Sequence, residues 1–459
     1  MSVRQVKYEV NNLVVGMYVA GLDRPWTQTP FPLQGFYIRD ADDIAQLQRF
    51  CSHVYIDVKR KAIPGVSTLK VYSGATGGGS VPGVTDSSAV SSDVRGEPIQ
   101  VTPLKVVHNS YPLQVDRDKE LQKAEQLHRA LNQAVASVMH QLQSGESVSL
   151  RSTRRVASAM VDSVLRHPDA LTWLSRVQMV DEFTYAHSVR CAVWAIIFGR
   201  HIGMSKVNLE RLALGVLLKD VGKSRLPQEL LALFPRSDAQ EQEYRRFVSI
   251  GVDILQQEEA LEPQVVSVVK NHCERLNGSG FPLGLKGSKI PVSARIAGMV
   301  TFYDELVFCR SGQQALSPSK AVSRLYDCRN QEFQEDLVVE FIRAIGLYPT
   351  GTLVELSTGE VAVVVEQNLE RRLKPQVLIL LDATKQPLAK PRLLDLAVDD
   401  KKKRALIDAG KLASGGQDMI DIAVDLAPGS YGLDAEELRN RYMMKSEKGF
   451  LKSLFRRHA

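Results

Sequence analysis

The sequence predicts a multi-domain chain: a small N-terminal α+β module, a central all-α helical domain and a small C-terminal β unit. Three observations carry this. Apolar residues recur three and four positions apart from about 114 to 346, the period of an α-helix. Residues 6–62 alternate short β-like runs with turns. Residues 350–396 change period, with a turn at "STGE" between two apolar runs, as a hairpin does. A chain of 459 residues is also too long for one core, and about two to four domains are expected.

The elements follow in order. In the module at 1–66, "NLVVGMYVAGL" and "HVYIDV" are rich in β-branched and aromatic residues, and "DADDIAQLQRF" places Asp residues in the first turn of a helix. The aromatics of "RPWTQTPFPLQGFYI" read as core and turn packing, with a groove lining as the alternative. A flexible linker is expected at 67–112, because "SGATGGGSVPGVTDSSAVSSDVRGEP" has no apolar period. The helical domain spans 113–346. Segments such as "AHSVRCAVWAIIFGRHIG" and "NLERLALGVLLKDVG" are apolar nearly all round, as buried helices are. The β unit spans 347–400, and "PQVLILLD" supplies a further strand. A polar, basic, solvated tail is expected at 401–459. Its end, "GFLKSLFRRHA", is weakly amphipathic.

Composition excludes several classes. The chain is 44% hydrophobic and 24% charged, with a net charge of +6. That is small for this length and argues against a nucleic-acid partner. Five scattered cysteines form no CxxC pair, the pattern of reduced thiols rather than disulfides or a zinc ribbon. "MSVRQVKYEV" lacks the apolar stretch of a signal peptide, and runs such as "VLILL" are too short to span a bilayer. The expected location is the cytoplasm.

The chemistry concentrates in the helical domain. His187, Asp220 and His272 fall on successive apolar helices, the way metal sites in helical bundles are assembled. Imidazole and carboxylate are ligands for a divalent first-row metal. The same residues also fit a bland reading. A lone helical His is commonly a hydrogen-bonded core residue, and "KDVGK" fits a helix C-terminus with Gly222 near C′ and Lys223 beside the dipole.

The ordered motifs "HSVR…LLKDVGK…HCERLNGSGFP…RIAGMVTFYDEL" resemble the HD-GYP domain, a subfamily of the HD superfamily of metal-dependent phosphohydrolases. Residues 6–62 resemble the small module often found ahead of it. The resemblance implies hydrolysis of the bacterial second messenger cyclic di-GMP by two or three metal ions, usually iron or manganese. Carried over residue by residue, the family's first histidine matches His187. The HD pair falls on Lys219 and Asp220, and the following lysine on Lys223. The next histidine falls on Phe247. The paired histidines and glutamate fall on His272, Cys273 and Glu274. The GYP signature reads Gly280, Phe281, Pro282. The distal aspartate falls on Thr301, while Asp304 is kept. Of the phosphate-contacting stretch, Arg310 survives and the lysine is Gln313.

Four ligand positions, Lys219, Phe247, Cys273 and Thr301, thus carry other residues. Phe binds no metal, and a lysine ammonium is donor-only. His187, Asp220 and His272 then make at most a vestigial site holding one divalent metal (Fe, Mn or Zn) weakly, with Cys273 as thiolate the one soft supplement. The fold is expected to persist and hydrolysis to be lost, leaving Asp220 and Lys223 as catalytic vestiges. The chain would then be a non-catalytic module binding cyclic di-GMP through Arg310, or a signalling partner through the Gly280–Phe281–Pro282 loop. The alternative is a weak metal-dependent phosphodiesterase. Lys219 is expected to stand in the metal's place, its ammonium buried against Asp220, rather than to snorkel to solvent.

Overall fold

The computed structural model describes residues 5–24, 36–38, 41–57, 99, 101–144, 150–177, 183–257, 261–308, 315–368, 371–408, 419–434 and 437–438. Most of the aromatic segment and of the Gly/Ser-rich stretch, Arg310 with Gln313, and the chain end lie outside these residues.

The N-terminal module is a four-stranded antiparallel sheet and one helix. Its strands are β1 (Gln5–Glu9), β2 (Tyr18–Leu22), β3 (Phe36–Tyr37) and β4 (His53–Asp57), in the order β1-β4-β2-β3. Helix α1 (Ala41–Phe50) packs Leu47 with Val19 and Val54 in a separate small core.

The helical domain follows as α2 (Arg117–Ser144), α3 (Arg151–Arg166), α4 (Pro168–Val177), α5 (Phe183–His201), α6 (Lys206–Leu218), α7 (Gln228–Ala232), α8 (Asp238–Arg245), α9 (Phe247–Gln256), α10 (Pro263–Asn271), α11 (Val292–Val307), α12 (Pro318–Asp327) and α13 (Glu335–Ile345). Local signals place the starts. Ser237 and Gln240 form a reciprocal capping box at α8, and Pro263 and Pro318 open α10 and α12. Helix α5 is buried from Ala186 to Gly199, α6 from Leu212 to Leu218 and α11 from Ala294 to Thr301. Their all-round apolar pattern therefore marks the central layer, onto which the amphipathic helices close.

The C-terminal sheet comprises β5 (Leu353–Leu356), β6 (Val361–Glu366), β7 (Gln376–Leu381), β8 (Pro387–Asp395) and β9 (Ile422–Asp425), ordered β8-β7-β6-β5-β9 and antiparallel throughout. Its core is continuous with that of the helices. Arg117 donates to the Val365 carbonyl at 2.8 Å, and Thr350 to Asp169 at 2.7 Å.

Two expectations need correction. The predicted linker does not extend to 112. Residues 101–112 lie along the helices, with Leu104, Val106 and Tyr111 against the core and Val107 N–H on the Ile202 carbonyl at 3.0 Å. Gly203 makes room for this: a Cβ there would sit 2.4 Å from the Val107 carbonyl oxygen. Nor does a tail begin at 401. Helix α14 (Leu396–Asp408) carries the "DDKKKR" run, with Asp400 buried on Arg371 and the lysines outward. Strand β9 then completes the sheet edge, and buried Lys374 donates to the Ile420 carbonyl just before it. A four-residue strand in a polar context leaves too short an alternation to read.

Candidate functional site

Helix α6 ends at Leu218, Lys219 is its C-cap, and Val221–Arg225 form a 3-10 turn. Gly222 is not a left-handed cap. Instead the turn is pressed onto α9, where a Cβ on Gly222 would lie 1.9 Å from the Phe247 carbonyl oxygen. This contact fixes Asp220 at the end of a buried helix, facing α5 and the end of α10.

Asp220 is 2% exposed, and both its oxygens are held by ammoniums. Lys219 Nζ bonds Oδ2, and Lys223 Nζ lies 2.6 Å from Oδ1. The Ser188 hydroxyl adds a donor to Oδ2 at 3.3 Å. Lys219 is 0% exposed, so it does not snorkel; it is a buried partner of the carboxylate, as its charge requires. Burial alone would lower the Lys219 ammonium and raise the Asp220 carboxyl. Their attraction reverses both: Lys219 is held above its ordinary value, against the repulsion of Lys223, and Asp220 well below it, with Lys223 helping.

His187 and His272 are also buried and act on Asp220. His187 Nδ1 donates to Asp304 Oδ2 at 2.8 Å, and His272 Nδ1 donates to the Val269 carbonyl at 2.9 Å. Each therefore offers Nε2 as its remaining ligand atom. Burial, then the Lys219 charge, keeps both neutral, with His272 pushed down to about 3. Asp304 receives two N–H groups of Arg190, each at 2.9 Å. Burial would raise its carboxyl, and Arg190 and His187 bring it down to about 2.

The four substituted positions behave as follows. Lys219 is the buried cation. Phe247 is 2% exposed, its ring 5.9 Å from that of His272 and 4.8 Å beneath the Lys223 ammonium. Thr301 turns its hydroxyl onto the Ala297 carbonyl of its own helix, at 2.7 Å. Cys273 is half-buried among Phe247 and Phe281, and burial pushes its thiol up to about 12. The thiolate considered from sequence is therefore not its form at neutral pH.

Sequence reasoning missed Arg190 and Cys191, which lie within a turn of His187 on the same helix. Cys191 groups with His187 and Asp304 in a wholly buried potential donor set, yet burial keeps its thiol protonated and Arg190 holds Asp304. The signal was present in "HSVR", where the charged end falls inside an apolar helix. The loop after α10 also differs from expectation. Glu274 accepts the backbone N–H groups of Leu283 and Leu285, at 2.8 and 2.9 Å, which folds residues 274–285 on themselves. Gly280 is essential to that fold, since a Cβ would meet Glu274 Cα at 2.4 Å. Phe281 is half-buried against Phe247, with the Arg245 guanidinium over its ring at 4.9 Å, while Leu283 is 57% exposed. The outward apolar residue of the loop is Leu283, not Phe281. Among the described residues, no helix is long and apolar enough to cross a membrane.

The geometry meets known proteins at three places along the chain. An "HD domain" family matches residues 175–337, a "KOW domain associated with HD domain" matches 353–409, and a domain of unknown function (DUF3391) matches 5–153. A cyclic di-GMP phosphodiesterase of Pseudomonas aeruginosa is 28% identical over 388 residues, covering 84% of this chain and 88% of that one. A cyclic di-GMP phosphodiesterase response regulator of Xanthomonas campestris pv. campestris is 27% identical over 221 residues, 47% of this chain and 58% of its own length. The solved HDG"Y"P protein from Bdellovibrio bacteriovorus aligns at 14% identity with a TM-score of 0.42, over 74% of this chain and 98% of that one. The central helices, the ordered motifs around Asp220 and the two phosphodiesterase relatives agree: residues 175–337 form an HD domain, and the chain is similar to HD-GYP proteins.

Proposed function

We propose that this protein is a cyclic di-GMP signalling component in which metal-dependent hydrolysis has been lost and the helical domain serves as a binding or regulatory module. One observation carries the reading: both oxygens of Asp220 are occupied by buried, tethered ammoniums. Phosphodiester hydrolysis of the family type needs a metal to lower the pKa of the attacking water, from 15.7 to about 7 in favourable cases. The residues here do not fit such a centre. Three buried cations, Lys219, Lys223 and Arg190, face two carboxylates, Asp220 and Asp304, so the pocket has excess positive charge before any metal enters. Phe247 and Thr301 contribute no ligand atom to it, and the Cys273 thiol stays protonated.

The relatives' activity supports cyclic di-GMP as the ligand class. Arg310 would serve it, because its fork matches phosphate oxygens. The self-folded loop of Gly280, Phe281 and Pro282, with Leu283 outward, supports contact with a signalling protein. The test uses anaerobically purified full-length protein, incubated with cyclic di-GMP in iron- or manganese-containing buffer, while calorimetry follows binding. Binding or partner capture without a linear dinucleotide product is expected. Product that forms in the native chain and disappears in Asp220→Asn would reject the reading and leave a weak phosphodiesterase.

A further inference from the structure

We propose that His108, His201 and Glu340 form a second metal site, for a divalent ion of the zinc class, remote from the Asp220 pocket. The three side chains come from the segment ahead of α2, the last residue of α5 and the middle of α13. His108 Nε2 and His201 Nε2 each lie 2.9 Å from the same atom, Glu340 Oε2. Their rings are 5.0 Å apart, and the three ligand atoms all lie within 4.8 Å of one another. Tetrahedral zinc at about 2.0–2.1 Å from each ligand sets those atoms about 3.4 Å apart. Drawing each Nε2 back from Oε2 by about 0.5 Å, from 2.9 to about 3.4 Å, therefore makes room for the ion. Two imidazoles and one carboxylate also make the donor set of zinc sites that keep a fourth position for water.

The surroundings orient these groups. Arg343 donates to the other carboxylate oxygen, Oε1, at 2.9 Å, which leaves Oε2 directed at the imidazoles. The same guanidinium donates to Asp43 of α1 at 2.8 Å, so an ion here would also steady the N-terminal module against the helices. The His108 and His201 side chains are 23% and 19% exposed, which provides an entry path and room for water. Burial keeps His201 neutral, and its hydrogen bond to Glu340 opposes but does not overcome this. The nearby guanidiniums of Arg343 and Arg372 repel a dication, so binding is expected to be weaker than at an all-thiolate structural site. His201 follows His187 by 14 residues on α5, about 21 Å along the helix at 1.5 Å per residue. The two sites do not share ligands.

The test takes the full-length chain, stripped with chelator, reloaded with zinc and desalted. Elemental analysis should return one zinc per chain. His108→Gln and His201→Gln should each weaken zinc binding by about tenfold or more, while His272→Gln in the Asp220 pocket keeps it. Cobalt substitution of the unmutated chain reads the same site without relying on variant folding, and should give ligand-field bands that zinc displaces. A native chain that retains no zinc and gives no cobalt bands overturns the proposal. So does zinc retained by the His108→Gln/His201→Gln double variant, or zinc lost only in His272→Gln.

Discussion

The Asp220 pocket and the Glu340 cluster use the same residue types and reach opposite states. In each, a carboxylate held well below its ordinary pKa faces two histidines. Around Asp220 the neighbours that reach its oxygens are Lys219 and Lys223, tethered cations with almost no exposure. Around Glu340 they are two partly exposed imidazoles on one oxygen and Arg343 on the other. An imidazole can exchange its proton contact for a metal; an ammonium cannot. Ligand inventory alone therefore does not make a metal site. The charge and mobility of the groups already on the carboxylate decide it.

The largest expected effect comes from breaking the Asp220 arrangement. Asp220→Asn leaves two buried ammoniums without a counter-charge and is expected to cost about 3–5 kcal/mol or more. Lys219→Met leaves Asp220 with Lys223 and falls at the lower end of that range. The double variant should cost less than the sum of the two, because the members of a pair are removed together. Urea unfolding with a constant m-value measures all three. Unchanged midpoints in both single variants would mean that the buried ion pair contributes nothing to stability.

Acid sharpens the comparison next. His272 has a folded-state pKa of about 3 against an ordinary 6.5. Between these values the unfolded chain binds a proton that the folded chain refuses, so stability is full above pH 6.5 and falls as pH drops. The slope is about 1.4 kcal/mol per pH unit for each such histidine, and His187 adds to it in the same direction. Below about pH 4 the depressed carboxyls of Asp220 and Asp304 steepen the loss. His272→Gln should flatten the slope between pH 6.5 and 3 by one histidine's share; identical slopes would place His272 protonated in the fold.

How much of this was legible follows from what each feature needs. The central helices announced themselves because burial on all sides writes an apolar run, and His187, Asp220 and His272 stand out as polar residues in or beside those runs. Lys219 was legible as an anomaly, since a cation inside an apolar run demands a partner, and Asp220 was next to it. Arg190 carried the same signal, a cation inside the apolar run of "AHSVRCAVWAII", but its partner Asp304 lies 114 positions away and not next to it. Strand β9 was hidden by its length of four residues. The Glu340 cluster had no signature at all: its histidines lie 232 and 139 positions away in sequence, and only the packing of the 101–112 segment on α5 and α13 brings them together.

The smallest effect tests the comparison most directly. In chelator, where no metal contributes, Glu340→Gln keeps an amide oxygen that one imidazole N–H can still reach, and the partly exposed histidines can turn to water. The lost charge assistance for His108, His201 and Arg343 is then expected to cost about 1–2 kcal/mol, below the Asp220→Asn cost. With zinc present the native chain should gain thermal stability that Glu340→Gln does not, because only the folded native site binds the ion. Equal losses for Glu340→Gln and Asp220→Asn in chelator would show that tethered cations and partly exposed imidazoles grip a carboxylate alike, and the distinction between the two regions would fall.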